Sequence, residues 1–363
     1  MTGHLTKKRL RRLGAIVAAG VIATTLAACS SDDSSDDDTS STSGAATDDY
    51  QVKLGYFPNL THASAIVGVE KGYFDDALKE NGASVKTFQF NSGSDTIDAL
   101  LSGSLDATYI GPSPTITAYA QSQGGVRVLS GATSGGASLV VADDINGPED
   151  LKGKTIATPG LANTQDVALK TWLKDQGYNV DPDGTGDVTV LNQDNSLTVQ
   201  TFKTGDIAGA WVPEPYASQL VAEGGKVLVD EADLWEGGEF VTTQLIATTK
   251  FIDEHPDLVN SLLSAQIKSE QYINDNSDDA KQVVGDFIAD VTQTPIPADV
   301  LDSAWSKLTF TNDPIADSLI KSKDNAVDVG LIEDTDLADL YDLDPLNKLL
   351  TDAGEQEVSG PST

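Results

Sequence analysis

The sequence predicts an α/β protein whose C-terminal region is helical. From Tyr50 onward, short strand-like runs alternate with amphipathic helical segments, a pattern typical of layered α/β structures. From Pro256 to the end, the pattern becomes almost wholly helical. The chain of 363 residues also has the length of two ordinary domains, since single hydrophobic cores usually stop growing near about 250 to 300 residues.

The N-terminus has the features of an export signal. A basic stretch at residues 7–12 precedes an apolar run at residues 14–28, which is too short for a membrane-spanning helix. We therefore predict a signal peptide over residues 1–28. Its end, Leu26-Ala27-Ala28-Cys29, resembles the lipobox of bacterial lipoproteins, which implies that Cys29 is lipidated and becomes the new N-terminus. A signal peptide without lipidation is the alternative.

Residues 29–49 are rich in Ser and Asp and lack apolar periodicity. Concentrated like charge without an apolar face predicts a disordered acidic linker. A flexible chain of this length has a root-mean-square reach of about 25 Å. The linker would let a globular head move beside its lipid anchor.

Composition excludes several classes of protein. Lys and Arg total 23 against 56 Asp and Glu, a formal charge of -33, and five of the basic residues precede Cys29. The mature part therefore has 18 basic and 56 acidic residues, or -38, which disfavours nucleic acid and anionic membrane surfaces as partners. With one Cys and three His, the chain lacks the residues for a disulfide framework or a Cys/His metal site. We expect no metal and no cofactor.

Nine strands are predicted in the mature chain, each a short run bounded by turn residues. They cover residues 51–57, 85–90, 107–110, 126–131, 138–141, 155–157, 188–191, 207–212 and 241–247. Helices are expected after most of them. In the C-terminal region, Pro256, Pro297 and Pro314 each fit the first turn of a helix.

Residues 101–114 resemble residues 203–215. In both segments a helix is expected to end at a glycine (Gly103 or Gly205), a short strand follows, and Pro-x-Pro opens the next helix. Each copy would place a helix N-terminus at the carboxyl end of a strand, where unpaired N–H groups can meet a ligand. Chance similarity remains open, because a helix, a glycine and a strand often follow one another.

Six motifs together resemble the aliphatic sulfonate, nitrate and taurine family of ABC-transporter substrate-binding proteins. They are GYFPNLTHA (55–63), EKGYF (70–74), NSG (91–93), GSLDATYIGPSP (103–114), DLKGKTIA (150–157) and WVPEP (211–215). Two positions depart from the family pattern. Ala208 replaces a frequent Asp, and Ser64 replaces a frequent Pro.

The resemblance implies a two-lobed periplasmic-binding-protein fold of type II that closes on its ligand. Lobe 1 would comprise residues 50–138 and 243–363, and lobe 2 residues 139–242. The residues expected at the cleft are Asn59, His62, Ser92, Gly93, Ser94, Pro112, Thr115, Asn163, Thr164, Trp211 and Glu214.

Four helix starts assigned to this cleft, near His62, Ser94, Thr115 and Thr164, would supply N–H donors to an anion. Simple helix capping is the alternative for Asn59, Thr61, Ser94 and Thr164. We expect a bound anion to favour the charged form of His62. Trp211 would form a wall of the pocket, and packing against neighbouring helices is the alternative.

The resemblance therefore implies an extracytoplasmic solute-binding lipoprotein of an ABC importer. Its ligand would be a small anion, an aliphatic sulfonate or taurine, because N–H and hydroxyl donors suit a sulfonate better than a protonated phosphate. Glu214 or Asp95 would pair with the ammonium of taurine. The expected partners are the permease and its ATPase, and the protein would be a monomer held at the outer face of the cell membrane by its lipid alone.

Other functions remain open. The ligand could be nitrate or a thiamine precursor, and the fold also occurs in enzymes. The export signal and the shortage of His and Cys argue against an enzyme. A sensor or adhesin lipoprotein is a further alternative.

Overall fold

The structure is a computed structural model that describes residues 50–362. The predicted signal peptide (1–28), the lipidation site Cys29 and the acidic linker (29–49) lie outside the described residues. Within residues 50–362, no helix combines the length and the apolar character that crossing a bilayer requires.

Eleven strands and thirteen α-helices are present in the described part of the chain. The strands are β1 (Tyr50–Tyr56), β2 (Ala83–Gln89), β3 (Ala107–Ile110), β4 (Val126–Gly135), β5 (Ala137–Ala142), β6 (Thr155–Thr158), β7 (Thr189–Asn192), β8 (Gly209–Pro213), β9 (Gly225–Asp230), β10 (Val241–Thr248) and β11 (Leu308–Phe310). The helices are α1 (Ala63–Glu70), α2 (Tyr73–Lys79), α3 (Gly93–Leu101), α4 (Pro112–Gln121), α5 (Thr164–Asp175), α6 (Asn195–Lys203), α7 (Tyr216–Ala222), α8 (Thr249–Glu254), α9 (Pro256–Asp275), α10 (Ser277–Thr292), α11 (Ala298–Trp305), α12 (Ala316–Asp328) and α13 (Asp344–Ala353).

The strands form two sheets with the same internal order. The first sheet runs β2-β1-β3-β10-β4-β11 and the second runs β7-β6-β8-β5-β9, so the first five strands of the first sheet correspond in order to the five strands of the second. In the first sheet β1 pairs in parallel with β2 and β3, and β10 is antiparallel to β3 and β4. In the second sheet β6 pairs in parallel with β7 and β8, and β5 is antiparallel to β8 and β9. This correspondence places β3 and β8, the two strands of the repeated segment, in equivalent positions.

Each sheet is covered by helices on both faces. One face of the first sheet packs against α1, α2, α9 and α10, and the other packs against α3, α4 and α12. In the second sheet, Leu139 and Val141 pack towards α5, whereas Val140 packs towards α6 and α7. Successive side chains of a strand point to opposite faces, so this alternation builds two cores on one strand. We call the first sheet with its helices the first lobe, and the second sheet with α5 to α7 the second lobe.

The chain crosses between the lobes where β4 continues into β5. Gly135 and Gly136 lie at this crossing with φ angles of 79° and 73°, a left-handed conformation that favours glycine. A Cβ atom on Gly135 would also lie 2.8 Å from the carbonyl oxygen of Lys307. The chain returns through residues 231–240 into β10. The exact lobe boundaries proposed from the sequence stay a prediction.

All nine predicted strands are present, within a few residues at their ends. Two strands were missed: β9 is only partly buried, and β11 has three residues. Of the three C-terminal prolines, only Pro256 lies in the first turn of a helix. Pro297 is the N-cap of α11, and Pro314 precedes Ile315, the N-cap of α12. The prediction of first-turn positions for these two prolines is therefore wrong.

Candidate functional site

A small cavity lies between the two lobes, where the carboxyl ends of β1, β3, β6 and β8 meet. Its volume is about 40 Å³. One water molecule needs about 10 to 15 Å³ on this measure, so the cavity accepts a group of a few heavy atoms. It is lined by Phe57, Asn59, Thr61, His62, Asn91, Gly111, Pro159, Asn163, Thr164, Gln165, Asn195, Pro213, Thr242 and Thr243.

Two larger openings adjoin this cavity. The first opening, of about 370 Å³, includes Ser92, Gly93, Ser94 and Leu161 and shares Asn163 with the cavity. The second opening, of about 240 Å³, shares Phe57, Asn59, Asn91 and Asn195 with the cavity. The cleft therefore has room for a head group in the cavity and for a larger body in an opening.

Helix starts bring N–H groups to the cavity from both lobes. Helix α5 begins at Thr164, whose N–H donates to Oδ1 of the N-cap Asn163 over 2.6 Å. Helix α4 begins after Gly111, and a 3-10 turn (Leu60–His62) precedes α1. The first N–H groups of a helix have no partner within it. The N–H of Thr164 already donates to Asn163, and Pro112 and Pro114 have none, so Gln165 and Ser113 carry the N–H groups left for an acceptor at these two helix starts. These starts meet closely, because a Cβ atom on Gly111 would lie 2.6 Å from Oγ1 of Thr164.

Three residues that line the cavity carry buried polar atoms without a hydrogen-bond partner among the described residues. These atoms are Asn59 Oδ1, Thr164 Oγ1 and Asn195 Oδ1. An unsatisfied buried polar group costs about 1 to 3 kcal/mol. Their concentration at one small cavity indicates a site for a polar ligand.

His62 lies at the cavity as a neutral imidazole. Its Nδ1 accepts the N–H of Phe57 over 3.3 Å, so the neutral ring carries its proton on Nε2 and offers a donor there. Burial lowers the pKa of His62 to about 3. A ligand that charged this ring would have to overcome the desolvation that lowers its pKa. The expectation that a bound anion favours the charged form of His62 stays a prediction.

Charged side chains are kept away from the cavity itself. Of the described residues that line it, none is Lys, Arg, Asp or Glu. Elsewhere in residues 50–362, no three His, Cys, Asp or Glu side chains group together as they do around a metal ion. The donors that the cavity offers to an anion are thus N–H groups, amides, hydroxyls and the His62 imidazole.

A buried ion pair supports the start of α5. Asp166 accepts hydrogen bonds from the N–H of Ala162 over 2.9 Å and from Lys170 Nζ over 2.8 Å. Its other oxygen accepts from Thr158 Oγ1 and Asn192 Nδ2. The carboxylate thereby joins β6, β7 and the loop that carries Asn163. The sequence signal was an Asp in the first turn of a helix with Lys four residues later.

The structure brings together only part of the predicted site. Asn59, His62, Asn163 and Thr164 line the cavity, and Ser92, Gly93 and Ser94 line the first opening. Pro112 and Thr115 are buried in α4 and do not line the cavity. Thr115 Oγ1 accepts from Gln244 Nε2 and donates to the carbonyl of Gly111.

Trp211 lies in the core of the second lobe and does not form a wall of the cavity. Its side chain is fully buried, and its indole N–H donates to Glu231 Oε2 over 2.7 Å. The ring of Trp172 packs against it in an edge arrangement at 6.3 Å. The alternation of β8 turns Trp211 towards α5, away from the end of the strand.

Glu214 is likewise unavailable to a ligand. It is fully buried, and its Oε1 accepts from Lys307 Nζ over 2.7 Å and from Ser218 Oγ over 2.9 Å. Its Oε2 accepts the N–H of Ser218 over 3.0 Å. Because its partners are already in place, this carboxylate does not serve as the receptor for an ammonium group. Asp95, the other predicted candidate, is exposed on α3 and lines neither the cavity nor its openings.

Several cavity residues escaped the sequence-based prediction. They are Phe57, Asn91, Gly111, Pro159, Gln165, Asn195, Pro213, Thr242 and Thr243. Asn195 had a usable signal, since Asp194-Asn195-Ser196 follows a predicted strand and contains residues that favour helix starts. Thr242 and Thr243 had no such signal. They lie in β10 and reach the cleft because this strand lies between β3 and β4 in the sheet.

Comparison with known proteins places the chain in a family. The model of the NMT1-like family matches residues 45–289, about two thirds of the chain. The chain belongs to the NMT1-like family. This agrees with the sulfonate, nitrate and taurine group inferred from its motifs.

Two curated relatives belong to the same group. The taurine-binding periplasmic protein of Escherichia coli is 31% identical over 194 residues, which cover 53% of this chain and 58% of that protein. The match thus spans less than two thirds of that relative's length. A putative aliphatic sulfonates-binding protein of Bacillus subtilis is 25% identical over 330 residues, 85% of this chain and 90% of that protein.

Solved structures confirm the periplasmic-binding-protein fold. The periplasmic nitrate-binding protein NrtA of Synechocystis superposes with a TM-score of 0.70 at 16% identity, over 84% of this chain and 89% of that one. The alkanesulfonate-binding protein SsuA of Xanthomonas axonopodis, bound to MOPS, gives 0.63 at 16% identity, over 78% and 94%. At these identities the likeness establishes the fold alone.

Proposed function

We propose that this protein is an extracytoplasmic solute-binding lipoprotein of an ABC importer, which closes on a small organic anion, an aliphatic sulfonate or taurine. The observation that supports this most is the cavity of about 40 Å³ with neutral donors and unpartnered polar atoms on its lining. Relatives named for binding taurine and aliphatic sulfonates support the same ligand class. We propose binding rather than turnover, because His62 is the only titratable side chain on the cavity lining among the described residues.

The donor set favours a sulfonate head over a phosphate. A sulfonate has three acceptor oxygens, one charge and no proton near neutral pH, whereas phosphate carries a second charge or a proton. Without Lys or Arg on the cavity lining, a second negative charge would have no counterion. Nitrate fits the cavity by size but would leave the openings of about 370 and 240 Å³ unfilled. An organic tail on the anion would use that space.

Local donors can overcome the negative charge of the whole protein. Charges separated by more than about 8 Å are largely screened at physiological salt. Each helix start contributes about 0.3 to 1 kcal/mol, and up to about 2 kcal/mol when partly buried. Micromolar affinity requires about -8 kcal/mol, which several such donors and an apolar tail can supply together.

Ligand binding would favour the closed arrangement of the lobes. The start of α5 in the second lobe lies against Gly111 of the first, and Thr164 Oγ1 is buried there without a partner. A ligand that satisfies this atom binds the closed state better than an open one and so shifts the population. Rotation about the crossing at Gly135 and Gly136 would open the cleft.

Thermal unfolding with a series of anions tests the proposed ligand class. We expect propanesulfonate to raise the melting temperature more than nitrate or phosphate at equal concentration. A ligand at 100 times its dissociation constant stabilises the native state by about 2.7 kcal/mol. Stabilisation by phosphate or nitrate, with every sulfonate inactive, would show that the ligand assignment is wrong.

The anchor is proposed from Cys29 at the end of the signal peptide. Two acyl chains on one residue give stable membrane attachment. We expect Cys29→Ala to move the protein from the membrane fraction to the soluble fraction, while Ser30→Ala stays in the membrane fraction. Membrane retention of Cys29→Ala would contradict lipidation. The permease and its ATPase are the proposed partners, and the protein is proposed to meet them as a monomer.

A further inference from the structure

The second opening of the cleft differs in chemistry from the cavity beside it. Three aromatic residues, Phe57, Phe90 and Tyr216, line this opening together with the exposed acidic residue Asp194. Neither the cavity nor the first opening combines aromatic rings with an acid. The first opening does contain an acid, Asp98, but its other described residues include no aromatic ring.

Asp194 is free to act on a ligand. It is the N-cap of α6, a position where an Asp side chain usually accepts a backbone N–H, yet it makes no capping hydrogen bond. It also makes no ion pair with the described Lys, Arg and His side chains. Its charge acts within the opening: burial and then Asp194 raise the pKa of Tyr216 to about 12.

Aromatic faces beside a carboxylate form a favourable site for an organic cation. The ring quadrupole attracts ammonium groups, and recognition of alkylated ammonium by several aromatic rings is a recurrent arrangement. The volume of about 240 Å³ exceeds what a bare ammonium group fills. One face of the Phe57 ring is already covered by His62, at 4.6 Å between centroids, so Phe90 and Tyr216 are the main candidates.

We infer that the ligand is a zwitterion whose oxyanion lies in the cavity and whose N-alkylated ammonium group lies in the second opening beside Asp194, Phe90 and Tyr216. This inference rests on the proposed function, because the cavity must hold the anionic end. It assigns Asp194 as a specificity-determining residue. The ammonium site thus lies at the start of α6 and not at Glu214.

A pair of ligands of the same shape tests this assignment by isothermal titration calorimetry in Tris-chloride, which contains no sulfonate. N,N,N-trimethyltaurine carries the cation, and 3,3-dimethylbutanesulfonate replaces its nitrogen with carbon. We expect the wild-type protein to bind trimethyltaurine at least about tenfold more tightly. Asp194→Asn should abolish this preference by weakening the binding of trimethyltaurine. The matched variant Asp98→Asn, at the first opening, should keep the preference.

The outcomes separate this inference from the function on which it rests. Equal affinities in the wild type, or a preference that survives Asp194→Asn, would overturn the zwitterion assignment while sulfonate binding stands. If the preference is lost in Asp98→Asn and kept in Asp194→Asn, the cation binds in the first opening. That result would also overturn the assignment of Asp194. If neither sulfonate binds the wild type, the proposed function fails as well. Phe90→Leu provides a second test, since it should weaken the binding of trimethyltaurine more than the binding of its neutral analogue.

Discussion

Replacing Lys170 with methionine is expected to lower the free energy of unfolding by about 3 to 5 kcal/mol. Lys170 Nζ lies 2.8 Å from Asp166 Oδ2, and the two side chains are 1% and 0% exposed. Methionine fills a similar volume but leaves the Asp166 carboxylate buried without its cation. Such a charge keeps its desolvation cost and loses its largest compensation. Urea denaturation followed by circular dichroism measures the change.

Lys174 supplies the matched control one turn further along α5. It pairs with Asp328 over 2.6 Å, but these side chains are 49% and 64% exposed. Exposed ion pairs contribute at most about 1 kcal/mol, so Lys174→Met should be nearly neutral. Equal effects of the two substitutions would contradict the role given to burial. A small effect of both would mean that Asp166 is not held as a buried anion.

The pH dependence of stability is expected to contain a large contribution from Glu270. This side chain is buried in α9, where Ser64 Oγ and Gln266 Nε2 donate to one of its oxygens and the other has no partner among the described residues. Burial raises the pKa of Glu270 to about 8, and its two hydrogen bonds lower it only in part. The native protein therefore holds a proton here at neutral pH that the unfolded chain releases.

The sign of the effect follows from proton binding. A carboxyl group with a raised pKa in the native state contributes least at high pH, so stability is lost as pH rises from about 4.5 towards 8. Each pH unit costs about 1.4 kcal/mol well inside this range. We expect Glu270→Gln, which cannot ionise, to gain about 2 kcal/mol on the wild type between pH 6 and pH 8.

Comparison of variant with wild type isolates Glu270 from other groups that titrate in this range. Glu231, with its pKa raised to about 7 by burial, and His62 contribute equally to both proteins. Glu254→Gln, at an exposed glutamate of α8, serves as the control and should keep the wild-type pH profile. Parallel profiles of wild type and Glu270→Gln between pH 6 and pH 8 would show that Glu270 is ionised in the native state.

The sequence carried enough information for most of the fold because its strands have strong local signals. The prediction for β3 was correct to the residue, since an apolar run there lies between a helix-ending Gly103 and the Pro-x-Pro of α4. The edge strand β9 lacks such a signal: its residues are half exposed, and it becomes a strand only by pairing with β5. Tertiary pairing of this kind cannot be deduced from local pattern.

The site was predictable where function depends on helix starts. Asn163 and Thr164 are cap residues whose position follows from local sequence, and both line the cavity. The errors arose where a side chain's direction or partner decides its role. Strand β8 is buried on both faces, so the sequence does not tell which of the two cores of the second lobe contains Trp211. Glu214 pairs with Lys307, which lies 93 residues away in the sequence.

The central claim, that the cavity between the lobes binds an aliphatic sulfonate, is tested most directly by calorimetric titration of propanesulfonate into the wild type and Thr164→Val. Valine keeps the shape of threonine but lacks the hydroxyl that is buried here without a partner. We predict a micromolar dissociation constant for the wild type, about -8 kcal/mol. We predict at least about tenfold weaker binding for the variant, the loss of one hydrogen bond to a charged group. An absence of binding heat in the wild type, or the same dissociation constant in both proteins, would contradict the claim.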